Sequence, residues 1–150
     1  MSFADVQEIL DFAIAKEQEA HDLYAGLADT VERPAMREVF RDLAQEELGH
    51  KQKLEAIRGG ELSGFVDERV EDLKVADYLI DVESEPDMDY RSTLVFAMKA
   101  EARAEALYLG LAAAARDTSV RDVFQGLARE EAAHKRSFET EYDDLIHGGQ

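Results

Sequence analysis

Residues 34–58 read PAMREVFRDLAQEELGHKQKLEAIR, and residues 118–142 read TSVRDVFQGLAREEAAHKRSFETEY. In the first, Met36, Phe40, Leu43, Glu47, His50, Leu54 and Ile57 recur at three- and four-residue steps. In the second, Val120, Phe124, Leu127, Glu131, His134, Phe138 and Glu141 do the same. Such spacing predicts a helix with one buried seam. Apart from Glu141 at the end of the second, the two seams are apolar except where each carries Glu-x-x-His near its middle. A carboxylate and an imidazole one turn apart share one helical face, so both point wherever that seam points.

Working outward, the stretch preceding each of these also repeats. Shifting the chain by 84 residues lays Leu10–Arg58 on Leu94–Tyr142 without a gap, and 20 of 49 positions are identical. A first helix is expected from a Ser2/Asp5 cap to about Val31, with the seam Leu10, Ala13, Glu17, Ala20, Tyr24, Leu27, Val31. A third is expected from Asp89 or Ser92 to about Arg116, with the seam Leu94, Ala97, Glu101, Ala104, Tyr108, Leu111, Ala115. Pro34 suits the first turn of the second helix, Gly59-Gly60 its stop, and Ser119-x-x-Asp122 the cap of the fourth, which should end before Gly148-Gly149. Helices of about 25 residues are about 37 Å long. The expected fold is all-α: a four-helix bundle of two pseudo-symmetric hairpins with a long crossover between helices two and three. It occupies 1–150 as a single domain, divided into hairpin 5–58, crossover 59–88 with a short helix near 75–80, and hairpin 89–147.

That arrangement brings Glu17, Glu47, Glu101 and Glu131 into the core at one level, with His50 and His134 beside them. Buried, ionised and adjacent carboxylates are strongly unfavourable unless positive charge offsets them. No Lys or Arg interrupts the seams there. Two divalent cations balance four carboxylates, and neutral imidazoles complete the shell. Glutamates from two helices and Glu-x-x-His from two others form the general di-iron or di-manganese carboxylate pattern of helical bundles. The expected metal ligands are Glu17, Glu47, His50, Glu101, Glu131 and His134. Glu and His donors suit iron, manganese and zinc alike. His21 is read as a satisfied boundary histidine, Glu46 and Glu130 as surface groups, and His147 as part of the tail.

Composition removes competing classes. The 150 residues contain no cysteine and no tryptophan, which excludes disulfide scaffolds, Cys-ligated clusters and thiol catalysis. Asp and Glu number 34 against 17 Lys and Arg, a net charge of -17. Such a surface repels nucleic-acid backbones and anionic membranes. No apolar run approaches the length of a membrane span, and the N-terminus has no signal-peptide pattern, so a cytoplasmic protein is expected.

Glu17-x-x-Ala20-x-x-x-Tyr24 with Glu47-x-x-His50, and Glu101-x-x-Ala104-x-x-x-Tyr108 with Glu131-x-x-His134, resemble the rubrerythrin family of the ferritin-like superfamily. The resemblance covers about residues 3–145. It implies that Glu17 and Glu101 are terminal ligands, that Glu47 and Glu131 bridge two irons, and that His50 and His134 each bind one. It also implies that Tyr24 and Tyr108 donate hydrogen bonds to ligand carboxylates. The family's rubredoxin domain, whose iron needs four cysteines, has no counterpart here, so an external donor such as a rubredoxin-like protein is expected. Where the family often has a further Glu three residues after the third-helix ligand, this chain has Ala104. The implied activity is reduction of hydrogen peroxide or dioxygen at a di-ferrous site by a homodimeric oxidoreductase active against oxidative stress. The alternatives are a ferroxidase or iron-storage protein, and a non-enzymatic bundle stapled by its metals.

Overall fold

The computed structural model describes residues 6–60 and 89–148. Four long helices account for nearly all of them: α1 (Val6–Thr30), α2 (Pro34–Arg58), α3 (Tyr90–Ala114) and α4 (Thr118–Asp143), the last followed by a single π-helical turn, Asp144–Gly148. Among the described residues there is no β-strand. The class is the expected one, an all-α chain with the helix complement of a four-helix bundle. The Ser2/Asp5 cap, the short helix near 75–80 and the crossover from residue 61 onward lie outside the described residues.

The helices form two compact units, α1 with α2 and α3 with α4. In the first, Nε and Nη2 of the Arg58 guanidinium both donate to the Asp11 carboxylate, and the Lys51 ammonium donates to Gln18 Oε1 at 2.8 Å. One turn further along, His21 Nδ1 meets the Ala44 carbonyl at 3.0 Å. As the α1 number rises the α2 number falls, which is an antiparallel hairpin. Most of the expected seam is buried, with Leu10, Phe40 and Leu54 fully covered; Ala20, Leu27, Met36 and Ile57 are half-buried, and Ile9, Ala28 and Ala44 beside the seam are buried as well. The second unit repeats this with Leu94, Leu111, Phe124 and Phe138.

The two tight turns are built alike. Arg37 Nε donates to the Val31 carbonyl at 2.8 Å, and 84 residues later Arg121 Nη2 donates to the Ala115 carbonyl at 2.9 Å. Each guanidinium thus closes an orphan carbonyl left where the preceding helix stops. Pro34 takes the first helical position of α2, where its missing N–H costs nothing.

Two boundaries have other causes than the sequence suggested. The α4 cap is Asp117, not Ser119: its carboxylate accepts from the Ser119 N–H at 2.7 Å and the Val120 N–H at 3.2 Å. An ionised aspartate two residues earlier answers two orphan donors, which leaves the Ser119 hydroxyl no capping role. The α2 helix does stop at Arg58, but Gly59 is right-handed helical, at φ -77° and ψ -9°. Its N–H donates to the Glu55 carbonyl at 2.9 Å and the Gly60 N–H to the Ile57 carbonyl at 3.1 Å, so α2 stops without the left-handed glycine of the usual C-terminal motif. At α3, Asp89 caps as expected, accepting from Ser92 N at 2.7 Å.

Substitution separates the two candidate caps. Asp117→Ala should cost about 1 kcal/mol of unfolding free energy, and Ser119→Ala less than about 0.5 kcal/mol, both read by urea denaturation. The Ser92 N–H holds the Asp89 carboxyl below its ordinary value. A depressed folded pKa gives stability that is present above the unfolded carboxyl pKa and lost as pH falls through the folded one. Asp89→Ala should therefore lower the urea midpoint at pH 7, with the gap from wild type closing as the solution is acidified past the usual carboxylate range.

Candidate metal centre

In the first hairpin the seam carries Glu17 on α1 and Glu47 and His50 on α2. In the second it carries Glu101 on α3 and Glu131 and His134 on α4. All six side chains are at most 3% exposed. The antiparallel register sets each trio. A heptad seam puts Glu17 two turns into the buried stripe, and Glu47 and His50, one turn apart, reach the same level from the other helix.

Within the first hairpin, one donor atom from each of Glu17, Glu47 and His50 lies within 4.8 Å of the others, and the same holds for Glu101, Glu131 and His134 in the second. His50 Nδ1 stands 3.6 Å from Glu17 Oε2 and 3.9 Å from Glu47 Oε2. His134 Nδ1 stands 3.7 Å from Glu101 Oε2 and 3.8 Å from Glu131 Oε1. Donors held about 2.1 Å from one ion sit about 3.0 to 4.2 Å from each other, depending on the angle between them. The observed separations fall inside that range and beyond ordinary hydrogen-bond length. Glu17 Oε2, both oxygens of Glu47, Glu101 Oε2 and Glu131 Oε1 are buried atoms that accept no hydrogen bond. The donor set fits a divalent cation: oxygens and nitrogens only, anionic in sum, shielded from water. Each hairpin by itself thus holds half of the six-residue set read from the sequence.

Tyr24 and Tyr108 lie one heptad beyond Glu17 and Glu101 and are fully buried. The Tyr108 ring stacks on Phe124, with centroids 6.3 Å apart. His21 is half-buried and, because a carbonyl only accepts, its Nδ1 carries the proton in the bond to Ala44. This is the satisfied histidine expected. Glu46 is exposed, Glu130 half-buried and His147 exposed.

One polar contact was not anticipated. Tyr90 donates to Glu141 Oε2 at 2.6 Å, and Glu141 is buried. The repeat contained the signal: Tyr90 and Glu141 stand where the first half has Val6 and Ile57. Both positions change together, an apolar pair for a hydroxyl and its acceptor.

These features define a helical protein with one buried Glu, Glu, His set per hairpin that could hold a metal ion. Comparison with family models narrows the class. The rubrerythrin model matches residues 8–82 and 92–148, most of the chain, and the chain belongs to that family. No curated protein and no solved structure matches it. No helix among the described residues is long and apolar enough to cross a membrane.

A buried carboxylate in a metal-ligating set trades stability for binding. Chelator-treated Glu47→Gln protein should melt at or above the temperature of chelator-treated wild type, because a buried charge is gone. Adding Fe²⁺ or Co²⁺ anaerobically should raise the melting temperature of wild type and leave that of Glu47→Gln nearly unmoved. Differential scanning calorimetry reads both.

Proposed function

We propose that the chain is a non-haem di-iron oxidoreductase of rubrerythrin type. In this reading the two hairpins pair as a ferritin-like bundle, and their trios share two irons: Glu17 and Glu101 terminal, Glu47 and Glu131 bridging, His50 and His134 one to each ion. The observation that carries it is the duplication of one buried Glu, Glu, His set, with matching separations, in two hairpins of a rubrerythrin-family chain. One such set is satisfied by a single ion. Two related by an internal repeat supply four carboxylates and two imidazoles, the charge and donor count of a dinuclear site.

When bound, a pair of ferrous ions supplies two electrons to a peroxide O–O bond, so that H₂O₂, two electrons and two protons give two waters. The protein's part is the surroundings. The glutamates and histidines hold the ions by fixed seam positions on long helices, not on loops. Leu10, Ala13, Leu54 and their repeats Leu94, Ala97 and Phe138 line the same seams and keep bulk water out. Tyr24 and Tyr108 orient ligand carboxylates through their hydroxyls, as in the family. Electrons come from an external donor of rubredoxin-like type; the 150 residues contain no cysteine to hold a further iron. The working form is a homodimer.

Stopped-flow mixing of ferrous-loaded protein with hydrogen peroxide, and separately with dioxygen, tests the reading. The expected result is oxidation by peroxide, seen as growth of near-ultraviolet absorbance, with Glu47→Ala and Glu131→Ala silent for loss of both ions. His50→Ala and His134→Ala should each retain one iron. A dioxygen reaction much faster than the peroxide one would replace this reading with a ferroxidase or iron-storage role. No change with either oxidant would leave only metals that staple the fold. Sedimentation distinguishes a dimer from a storage shell.

A further inference from the structure

By the 84-residue repeat, α1 and α3 agree on the side that carries the glutamate and tyrosine and part on the outer one. At about 100° per residue, Val95, Met98, Ala102, Ala106, Leu109 and Ala113 fall within an arc of about 80° on α3. That arc lies about 150° round from the middle of the buried residues of the helix. The stripe runs five turns, about 27 Å, without a polar side chain. Among the described residues Leu109 is the most exposed large apolar side chain, at 52%; Ala113 is exposed too, and the other four are half-buried. The same positions on α1 are Asp11, Ile14, Gln18, Asp22, Ala25 and Asp29. Every polar residue of the α1 stripe is apolar on α3. Packing inside a hairpin does not require this, because α1 meets α2 with the polar version of the same face. An apolar stripe on the outside of a helix marks a contact surface.

Charge indicates what covers it. The chain carries -17 overall, so two copies repel except where carboxylates are few. Six acidic and one basic side chain lie on α1, two acidic and three basic on α3. Glu105 borders the α3 stripe on one side, and Lys99 and Arg103 border it on the other. When two copies of such a helix lie parallel about a two-fold axis, the Glu105 side of each meets the Lys99 and Arg103 side of the other. Laid antiparallel, like sides would meet. The parallel pair therefore has an apolar seam flanked by opposite charges, which is self-complementary as a two-fold contact must be. Ala102 and Ala106 let the two backbones approach at its middle, and Val95, Met98 and Leu109 supply the apolar area toward its ends.

Resting on the homodimer named above, we infer that a second copy of this chain docks on the outer face of α3, the two α3 helices lying side by side and parallel. The second hairpin is then the associating half of the molecule, and the acidic outer face of α1 stays in solvent.

The test is sedimentation equilibrium of the full chain and its variants. Ala106→Asp with Ala113→Asp gives α3 the residues that α1 carries at Asp22 and Asp29. Carboxylates of two copies then face each other, and dimerisation should weaken at least about a hundredfold. The reverse change on α1, Asp22→Ala with Asp29→Ala, should leave it unchanged. Far-UV circular dichroism confirms that each variant is folded. A second measurement is covalent. The chain has no cysteine, so Ala102→Cys and Leu109→Cys each introduce a lone thiol. In the parallel pair each faces its own copy across the two-fold axis, and mild oxidation should yield a disulfide-linked dimer from both. Asp22→Cys on α1 should yield none. Dimerisation as tight as wild type in the Ala106→Asp, Ala113→Asp chain, or no linked dimer from the Ala102→Cys and Leu109→Cys chains, overturns the α3 contact while leaving a homodimer through another face. A wild-type chain that sediments as a monomer overturns both.

Discussion

Placing ionised carboxylates in a helical seam is the constraint from which the rest follows. Each of Glu17, Glu47, Glu101 and Glu131 is buried at a position where the heptad pattern calls for a Leu or Ala. A carboxylate moved there from water loses several kcal/mol of hydration. Histidines on the same seam, 3.6 to 3.9 Å from the carboxylate oxygens, are too far for strong hydrogen bonds and suitably spaced for a shared ion. A stable fold that tolerates this must draw its stability elsewhere, and the seams show where. Above and below the polar level they are filled with Leu, Phe and Ala, and the hairpin turns are closed by arginines on orphan carbonyls.

Most of this was legible in the sequence because the seam obeys a single period. A side chain at a seam position is buried whatever its chemistry, so a glutamate found there is already a statement about charge in the core. The 84-residue repeat then turned a weak Glu-x-x-His motif into a pair. Helix boundaries were less legible, since they depend on which nearby polar atom wins a backbone donor. Ser119 and Asp117 are both competent caps in sequence, and only the turn geometry decides for the ionised one. The Gly59-Gly60 stop was read correctly, but its backbone is right-handed, so the place was legible and the conformation was not. The Tyr90–Glu141 contact joins residues 51 apart, so the seam marks Glu141 as buried without naming the hydroxyl that answers it.

The repeat is strict at the buried Glu, His and Tyr positions and looser elsewhere, even in the core, where Leu54 becomes Phe138 and Val31 becomes Ala115. Among the ligand and second-heptad residues, Glu17, Tyr24, Glu47 and His50 all recur unchanged at Glu101, Tyr108, Glu131 and His134. Beside them, Gln18, His21 and Asp22 become Ala102, Glu105 and Ala106. A fully buried site has few alternatives, since each polar atom must be satisfied by the same small set of neighbours. A half-buried flank has more freedom, because water compensates what the protein does not. Two hairpins of one pattern can therefore keep an identical buried set while their flanks diverge.

Antiparallel hairpins suit this task for a mechanical reason. The carboxylate and the Glu-x-x-His pair of each trio are joined by two rigid helices and one short turn, so their relative position depends on few soft dihedrals. Each half-set is assembled within a single supersecondary unit, by contacts close in sequence. Ligand geometry then depends on the register between two helices. In the first hairpin that register is pinned at three levels, by Asp11 with Arg58, Gln18 with Lys51, and His21 with the Ala44 carbonyl. The middle of these joins the sequence neighbours of Glu17 and His50, so it holds the two helices in step at the level of the trio.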